Sequence, residues 1–204
     1  MALHTAVVYG SARRAREGIR AARFIVRKVQ ERGHEGKLVD SEEYDLPMLD
    51  LMYKEYPPDE APAAMQAIAE IFRDADGFII VSAEYNHSVP AALKNLLDHY
   101  QSEYLYKPSG LVTYSVGPFG GVRNLANLRC IMGELGAAAI PSVFPVSAVQ
   151  KAFDEDGHAR ETEYDERVVS FLKEYEWYAT ALKAARANRR CDNEIPLQQG
   201  MCRG

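Results

Sequence analysis

Short apolar runs alternate along this chain with longer stretches in which apolar residues recur every three or four positions. Residues 5–9 (TAVVY) form a continuous apolar run closed by Gly10 and predict a first strand. Residues 16–32 follow as a helix, because Ile19, Ala22, Ile25, Val26 and Val29 fall on one stripe and Gly33 supplies a stop. Residues 37–40 predict a second strand. Residues 41–62 are polar and proline-bearing with embedded apolar residues, which reads as an ordered loop. Residues 63–74 predict a second long helix. Residues 77–82 (GFIIVS) predict a strand whose unbroken apolarity requires cover on both faces. Pro90 suits the first position of a helix over 90–100. A strand over 110–115, a helix over 122–135 ended by Gly136, a strand within 138–145 and a long helix over 162–188 complete the pattern. From Cys191 onward the residues read as a flexible tail behind a single domain over 1–190.

Strand followed by helix, five times over, predicts an α/β fold: an open, doubly wound, five-stranded parallel sheet with helices on both faces, three layers in all. Crossovers in such sheets are right-handed. Two strand orders are common, and both bind ligands beyond the carboxyl ends of the strands. The loops after strands one, three and four are therefore where chemistry is sought.

Composition narrows the classes. A chain of 204 residues, 47% hydrophobic and 26% charged, buries a core without disulfide or metal staples. A net charge of -5 argues against nucleic acid, whose binding needs a basic face. The start, MALHTAVVYG, lacks the marks of a signal peptide, and no apolar stretch is long enough for a bilayer, so a cytoplasmic protein without membrane insertion is expected. The cysteines, Cys130, Cys191 and Cys202, are odd in number and have no C-x-x-C spacing, which predicts no metal site and fits a reducing compartment. Cys130 reads as a buried small hydrophobe.

The first loop, YGSARRAREG, brings Ser11, Arg13, Arg14 and Arg16 to the start of a helix. Unpaired N–H groups and the positive dipole end suit a phosphate there, Ser11 adds a hydroxyl, and Arg13 and Arg16 add charge-assisted donors. The plain alternative is a solvated basic helix start, but arginines oppose the dipole at that end. Neither G-x-x-x-x-G-K-[ST] nor G-x-G-x-x-G is present, so the loop is neither a triphosphate nor a dinucleotide fingerprint. The loop after strand three sets Glu84, Tyr85, Asn86, His87 and Ser88 between a buried strand and Pro90, many donors and one aromatic for the edge of a flat heterocycle. A lone His87 is more often an ordinary loop residue, and no nucleophile–histidine–carboxylate set can be assembled, so no catalytic side chain is assigned. The loop after strand four, SVGPFGGVRNLANLR, offers Ser115, Gly117, Gly120 and Gly121, where backbone comes close to a neighbour or a ligand.

Together, GSARRAR, EYNHSVPAALKNLLD and GPFGGVRNLANLRCIMGELGA resemble the NADPH-dependent FMN reductase family of flavodoxin-like proteins, over about residues 5–146. The long E-Y-N-x-S-x-P-x-x-L-K-N segment is the most specific part. The resemblance implies the strand order 2-1-3-4-5. It implies that Ser11, Arg13 and Arg16 hold the phosphate of FMN. Glu84, Tyr85, Asn86 and Ser88, with His87 beside them, would surround the isoalloxazine and ribityl parts, and Ser115, Gly117, Gly120 and Gly121 would lie along the other ring edge. This chain departs from the common pattern with Ala83 before the E-Y-N, where proline is frequent, and with AREGIRA in the first loop, where serine and asparagine are frequent.

The expected activity is hydride transfer from NADPH or NADH through FMN to a flavin, quinone or similar small electrophile, in a homodimer or homotetramer. A flavodoxin-type one-electron carrier is the second reading, against which stand the arginine-bearing phosphate loop and the modest acidity. A non-catalytic flavin-binding module is the third. Leu49, Met52 and Tyr53 are candidate interface residues, with packing on their own domain as the alternative.

Overall fold

The computed structural model describes residues 1–192, with the side chains of the last four left aside. The strands are β1 (His4–Tyr9), β2 (Glu35–Asp40), β3 (Gly77–Ala83), β4 (Ser109–Tyr114) and β5 (Ala139–Val146). All pairs are parallel, in the order 2-1-3-4-5. The helices are α1 (Ile19–Glu31), α2 (Ser41–Tyr44), α3 (Ala63–Asp74), α4 (Ala91–Asp98), α5 (Leu125–Glu134), α6 (Val149–Ala152) and α7 (Thr162–Asp192).

Period-two alternation sorts the strand residues into two cores. Val7, Tyr9, Ile79, Val81, Val112 and Phe144 face α1 and α7, where they meet Phe24, Ile25, Phe171 and Leu172. Ala6, Val8, Phe78, Ile80 and Leu111 face α3, α4 and α5, against Ile68, Phe72, Leu93, Leu96 and Leu128. Every residue of β3 and β4 is buried, as central strands covered on both faces require. The register sets Tyr9 beside Asp40 and Val81, and Ala83 beside Tyr114, which pairs with Val146. The strands thus end nearly flush, and the loops after β1, β3 and β4 emerge along one edge. β1 and β3 are neighbours with crossovers leaving in opposite directions, the switch point at which open α/β sheets bind ligands.

The expected elements form, with four corrections. Helix α1 starts at Ile19 rather than at position 16. A Cβ at Gly18 would stand 2.0 Å from Cζ of Tyr114, so Gly18 lies flat against that ring while the arginine-rich stretch before it stays a loop. The helix expected over 122–135 opens with a 3-10 turn (Val122–Asn124) before α5. Cys130 is exposed, on the outer side of α5, because Leu128 and Met132 occupy its buried face. Helix α7 continues to Asp192, past the expected end at 188; the remainder of the expected tail lies outside the described residues. The 41–62 stretch is an ordered loop carrying α2 and a 3-10 turn (Tyr53–Glu55). It is pinned to α4, where the Asn95 side-chain amide donates to the Pro47 carbonyl and accepts from the Leu49 N–H, both at 2.8 Å.

Candidate functional site

The loop after β1 presents bare backbone donors. Among the described residues, none accepts a hydrogen bond from the backbone N–H groups of residues 12–18. A row of free amides leading into a helix N-terminus is an anion cradle. Its floor is a set of hydroxyls. Ser11 is buried, and its Oγ shares a 3.2 Å hydrogen bond with the Tyr85 hydroxyl; Tyr114 and Tyr9 share another at 3.3 Å. Burial raises the pKa of both Tyr9 and Tyr114, which keeps these phenols protonated and able to donate.

The arginines divide by role. Arg13 is exposed, with its guanidinium 6.0 Å from the Tyr85 ring centroid, and among the described residues it reaches no carboxylate. Arg16 pairs with Asp40 and Glu42, each at 2.5 Å, and also donates to the Ser11 carbonyl at 3.5 Å. Burial works against the Arg16 charge, yet the hydrogen bond and charge of Asp40, with the charge of Glu42, leave its pKa raised. Asp40 is almost fully buried at the end of β2 and also caps the Glu42 N–H. A cleft of about 250 Å³ beside the loop is lined by Arg14, Arg16, Arg20 and Arg23. Arg20 in it donates to the carbonyls of Gln150 and Phe153, and Arg23 to that of Glu155.

The loop after β3 is a tight reversal. Tyr85 and Ser88 exchange backbone hydrogen bonds at 3.0 and 3.1 Å, and the two residues between them, Asn86 and His87, have φ of 52° and 65°. Two consecutive positive φ values make a type I′ turn. Asparagine tolerates that region; histidine does so at a cost, and such strain concentrates at functional loops. The N–H groups of Asn86 and His87 have no acceptor among the described residues, and both side chains are exposed. Glu84 points back into the protein, accepting from the Arg123 N–H at 3.1 Å and its guanidinium at 3.4 Å.

The loop after β4 is pinned through its carbonyls. Ser115 Oγ and the Ala148 N–H donate to the Gly117 carbonyl, Gln150 to that of Val116, and Ser147 Oγ to that of Pro118. Gly121 has φ 73°, and a Cβ there would lie 2.7 Å from the Tyr114 carbonyl oxygen, so only glycine lets the loop close onto β4.

The profile of the NADPH-dependent FMN reductase family matches residues 3–151. The chain belongs to that family. A probable NADPH:quinone oxidoreductase of Oryza sativa subsp. japonica is 32% identical over 200 residues, spanning 93% of this chain and 95% of its own. A quinone reductase of Escherichia coli K12 is 42% identical over 80 residues, 37% of this chain and 43% of its own. The matched part of the chain spans about half the length of the first curated relatives, the E. coli protein included. Among solved structures, the flavoenzyme NAD(P)H:(acceptor) oxidoreductase FerB of Paracoccus denitrificans superposes with a TM-score of 0.67 at 20% identity, covering 86% of this chain and 98% of its own. That likeness shows the fold.

In this FMN reductase family member, the residues singled out in the sequence gather at one edge but do not all face outward. Arg13, Asn86, His87 and Gly117 are exposed there. Ser11, Glu84 and Tyr85 spend their polar groups bracing one loop against another, Ser115 Oγ donates within its own loop to the Gly117 carbonyl, and Ser88 Oγ accepts from Asn127. The sequence reading missed the braces that Arg123, Asn124 and Asn127 supply. Asn124 is fully buried and donates to Ser82 Oγ and the Ala83 carbonyl, and Asn127 donates to the His87 carbonyl at 3.1 Å. Their signal was present as three polar residues at the start of an otherwise apolar helix, directly behind a glycine loop. Among the described residues there is no cluster of metal-ligating side chains, and no helix is long and apolar enough to cross a membrane.

Proposed function

We propose that this protein is an FMN-dependent oxidoreductase that uses NADPH or NADH to reduce a small acceptor of the quinone or flavin type. The observation that carries the reading is the row of unpaired amides over residues 12–18, with Arg13 beside it, at the switch point of the sheet. Its donor chemistry fits one phosphate monoester. The free N–H groups of Asn86 and His87 fit the carbonyl and ring-nitrogen edge of an isoalloxazine, and the exposed Gly117, with open space around it, leaves room along the opposite edge. Ser11, Tyr85, Ser88 and Ser115 hold these loops, Arg16 fixes the first loop to β2, and Glu84 ties the second to Arg123.

When bound, FMN would supply two-electron, hydride-level redox chemistry between the nicotinamide and the acceptor. The chain's own part is to position the cofactor, meet developing negative charge with fixed N–H groups, and keep the ring accessible. No catalytic side chain is assigned. The names of the rice and E. coli relatives support the acceptor class. Residues 1–190 act as one domain in this reading, in a cytoplasmic homodimer or homotetramer with no nucleic-acid partner. Steady-state assay of the FMN-loaded protein with NADPH and a quinone, without any partner protein, is the test. Turnover supports the enzyme. Bound FMN with no turnover on any quinone or flavin would instead favour an electron carrier or a flavin-binding module.

A further inference from the structure

The loop after β4 exposes an apolar surface that its own fold does not use. Phe119 is 59% exposed, Val116 63% and Val122 40%, although most of the protein's large apolar side chains are buried. The loop holding them is not slack. The carbonyls of Val116, Gly117 and Pro118 are each taken by a donor from the segment that follows β5, and the Phe119 carbonyl by the Val122 N–H. The Phe119 ring is braced as well. The Arg123 guanidinium lies 4.2 Å from its centroid, and Arg123 is itself held by Glu84, the residue that opens the turn after β3. One face of the ring is thus backed by a fixed cation, and the side chain is steered by the neighbouring loop of the same site.

A rigid, exposed aromatic flanked by two valines costs solvation free energy in the unliganded protein, and such patches mark binding surfaces. This one comprises three side chains. A stable protein–protein interface takes about 20–30 residues a side, so the patch is far too small to be explained by a second copy. The backbone N–H groups of the exposed Gly117 and Phe119 have no acceptor among the described residues, which suits a ligand carrying carbonyl oxygens. The loop is also one wall of the proposed cofactor site. From this juxtaposition we propose that Phe119 seats the electron acceptor, a planar conjugated carbonyl compound of the quinone class, by stacking on it while Val116 and Val122 flank the ring. Phe119 is a specificity-determining residue in this account. The inference rests on the proposed oxidoreductase reading and names its acceptor-binding element.

The test uses FMN-loaded wild type, Phe119→Ala and Phe119→Trp. KM is measured for a naphthoquinone and for ferricyanide, a compact anion that has no ring to stack, and flavin bleaching by NADPH is followed by stopped flow. In Phe119→Ala the naphthoquinone KM rises about tenfold, the ferricyanide KM and the bleaching rate stay within twofold, and FMN occupancy is unchanged; Phe119→Trp keeps the naphthoquinone KM within threefold of wild type. An unchanged naphthoquinone KM in Phe119→Ala overturns the proposal. So does an equal loss toward ferricyanide, or a loss of FMN, since either makes Phe119 a structural part of the loop. Wild type that holds no FMN or fails with every acceptor sinks the oxidoreductase reading itself, a result separate from any contrast between variants.

Discussion

At the scale of single residues, the two arginines that look equivalent in the first loop do different work. Arg13 stands free beside the amide cradle, whereas Arg16 neutralises the buried Asp40. A charge-assisted bond to phosphate is worth about 1.5–3 kcal/mol, one to two decades in affinity. Arg13→Ala is therefore expected to weaken FMN by about ten- to a hundredfold and riboflavin, which lacks the phosphate, hardly at all. Arg16→Ala leaves a buried carboxylate unpaired. That costs about 3–5 kcal/mol for fully buried pairs and less here, because about a fifth of the Arg16 side chain is exposed. It is expected to lower the urea midpoint and to weaken FMN and riboflavin alike. Parallel titrations and urea melts of both variants check the division; a phosphate-selective loss in Arg16→Ala, with stability intact, would reverse the roles. In the proposed reading His87 supplies a backbone N–H and a turn conformation rather than a proton. Loss of an essential general acid slows a step by about 10²–10⁴-fold. His87→Ala is expected to change flavin reduction by NADPH only a few-fold in stopped flow, and a hundredfold drop at full FMN occupancy would make the imidazole catalytic.

At the scale of elements, the far end of the sheet is held by charge. Lys107 is buried and donates to the carbonyls of Phe72 and Arg73, which end α3, at 2.6 and 3.0 Å. Desolvation, helped by the nearby Arg186, pushes its pKa down to about 8, against the opposing pull of Asp76, Glu103 and Asp74. Below pH 8 the ammonium is charged in both folded and unfolded chains, and the folded state bears the cost of burying it. Between about pH 8 and 10.5 the folded protein releases this proton while the unfolded chain keeps it, so the Lys107 contribution to stability rises with pH, by roughly 3 kcal/mol at most. Urea melts at pH 7 and pH 10 should show that rise in wild type relative to Lys107→Met; equal pH responses would show that Lys107 titrates normally. The elements themselves were legible where one physical signal dominates. Runs dominated by apolar residues marked β1, β3 and β4, because strands covered on both faces bury every side chain, the hydroxyls of Ser82 and Thr113 included, and period-3.6 stripes marked α1 and α3. The start of α1 was not legible, since Gly18 is fixed by the ring of Tyr114, a residue remote in sequence. Exposure of Cys130 depends on which side of α5 faces the sheet. The division of labour between Arg13 and Arg16 depends on Asp40 at the end of β2. Loop sequences pointed to three loops that the fold brings to one edge of the sheet, but could not say which polar groups would be spent on bracing, a tertiary outcome.

At the scale of the whole molecule, the strand order gathers the loops after β1, β3 and β4 along one edge of the sheet. Met48, Leu49 and Leu51 are exposed on the pinned loop before α3, whereas Tyr53 is committed to its own fold, its ring 5.9 Å from that of Tyr100 and its hydroxyl accepting from Arg73. A homodimer that covers Met48, Leu49 and Leu51 is expected, and sedimentation should report about twice the 22.8 kDa of one chain. A concentration-independent monomer would contradict it. The amide cradle over residues 12–18 offers one compact anion site and no diphosphate fingerprint, so the protein should prefer FMN to both FAD and riboflavin. The most direct test of the account is an equilibrium titration of the flavin-free protein with FMN, FAD and riboflavin, followed by flavin absorbance. The account predicts tightest binding of FMN, with riboflavin weaker by at least about tenfold for want of the phosphate. Equal affinity for FMN and riboflavin, or tighter binding of FAD, would contradict it.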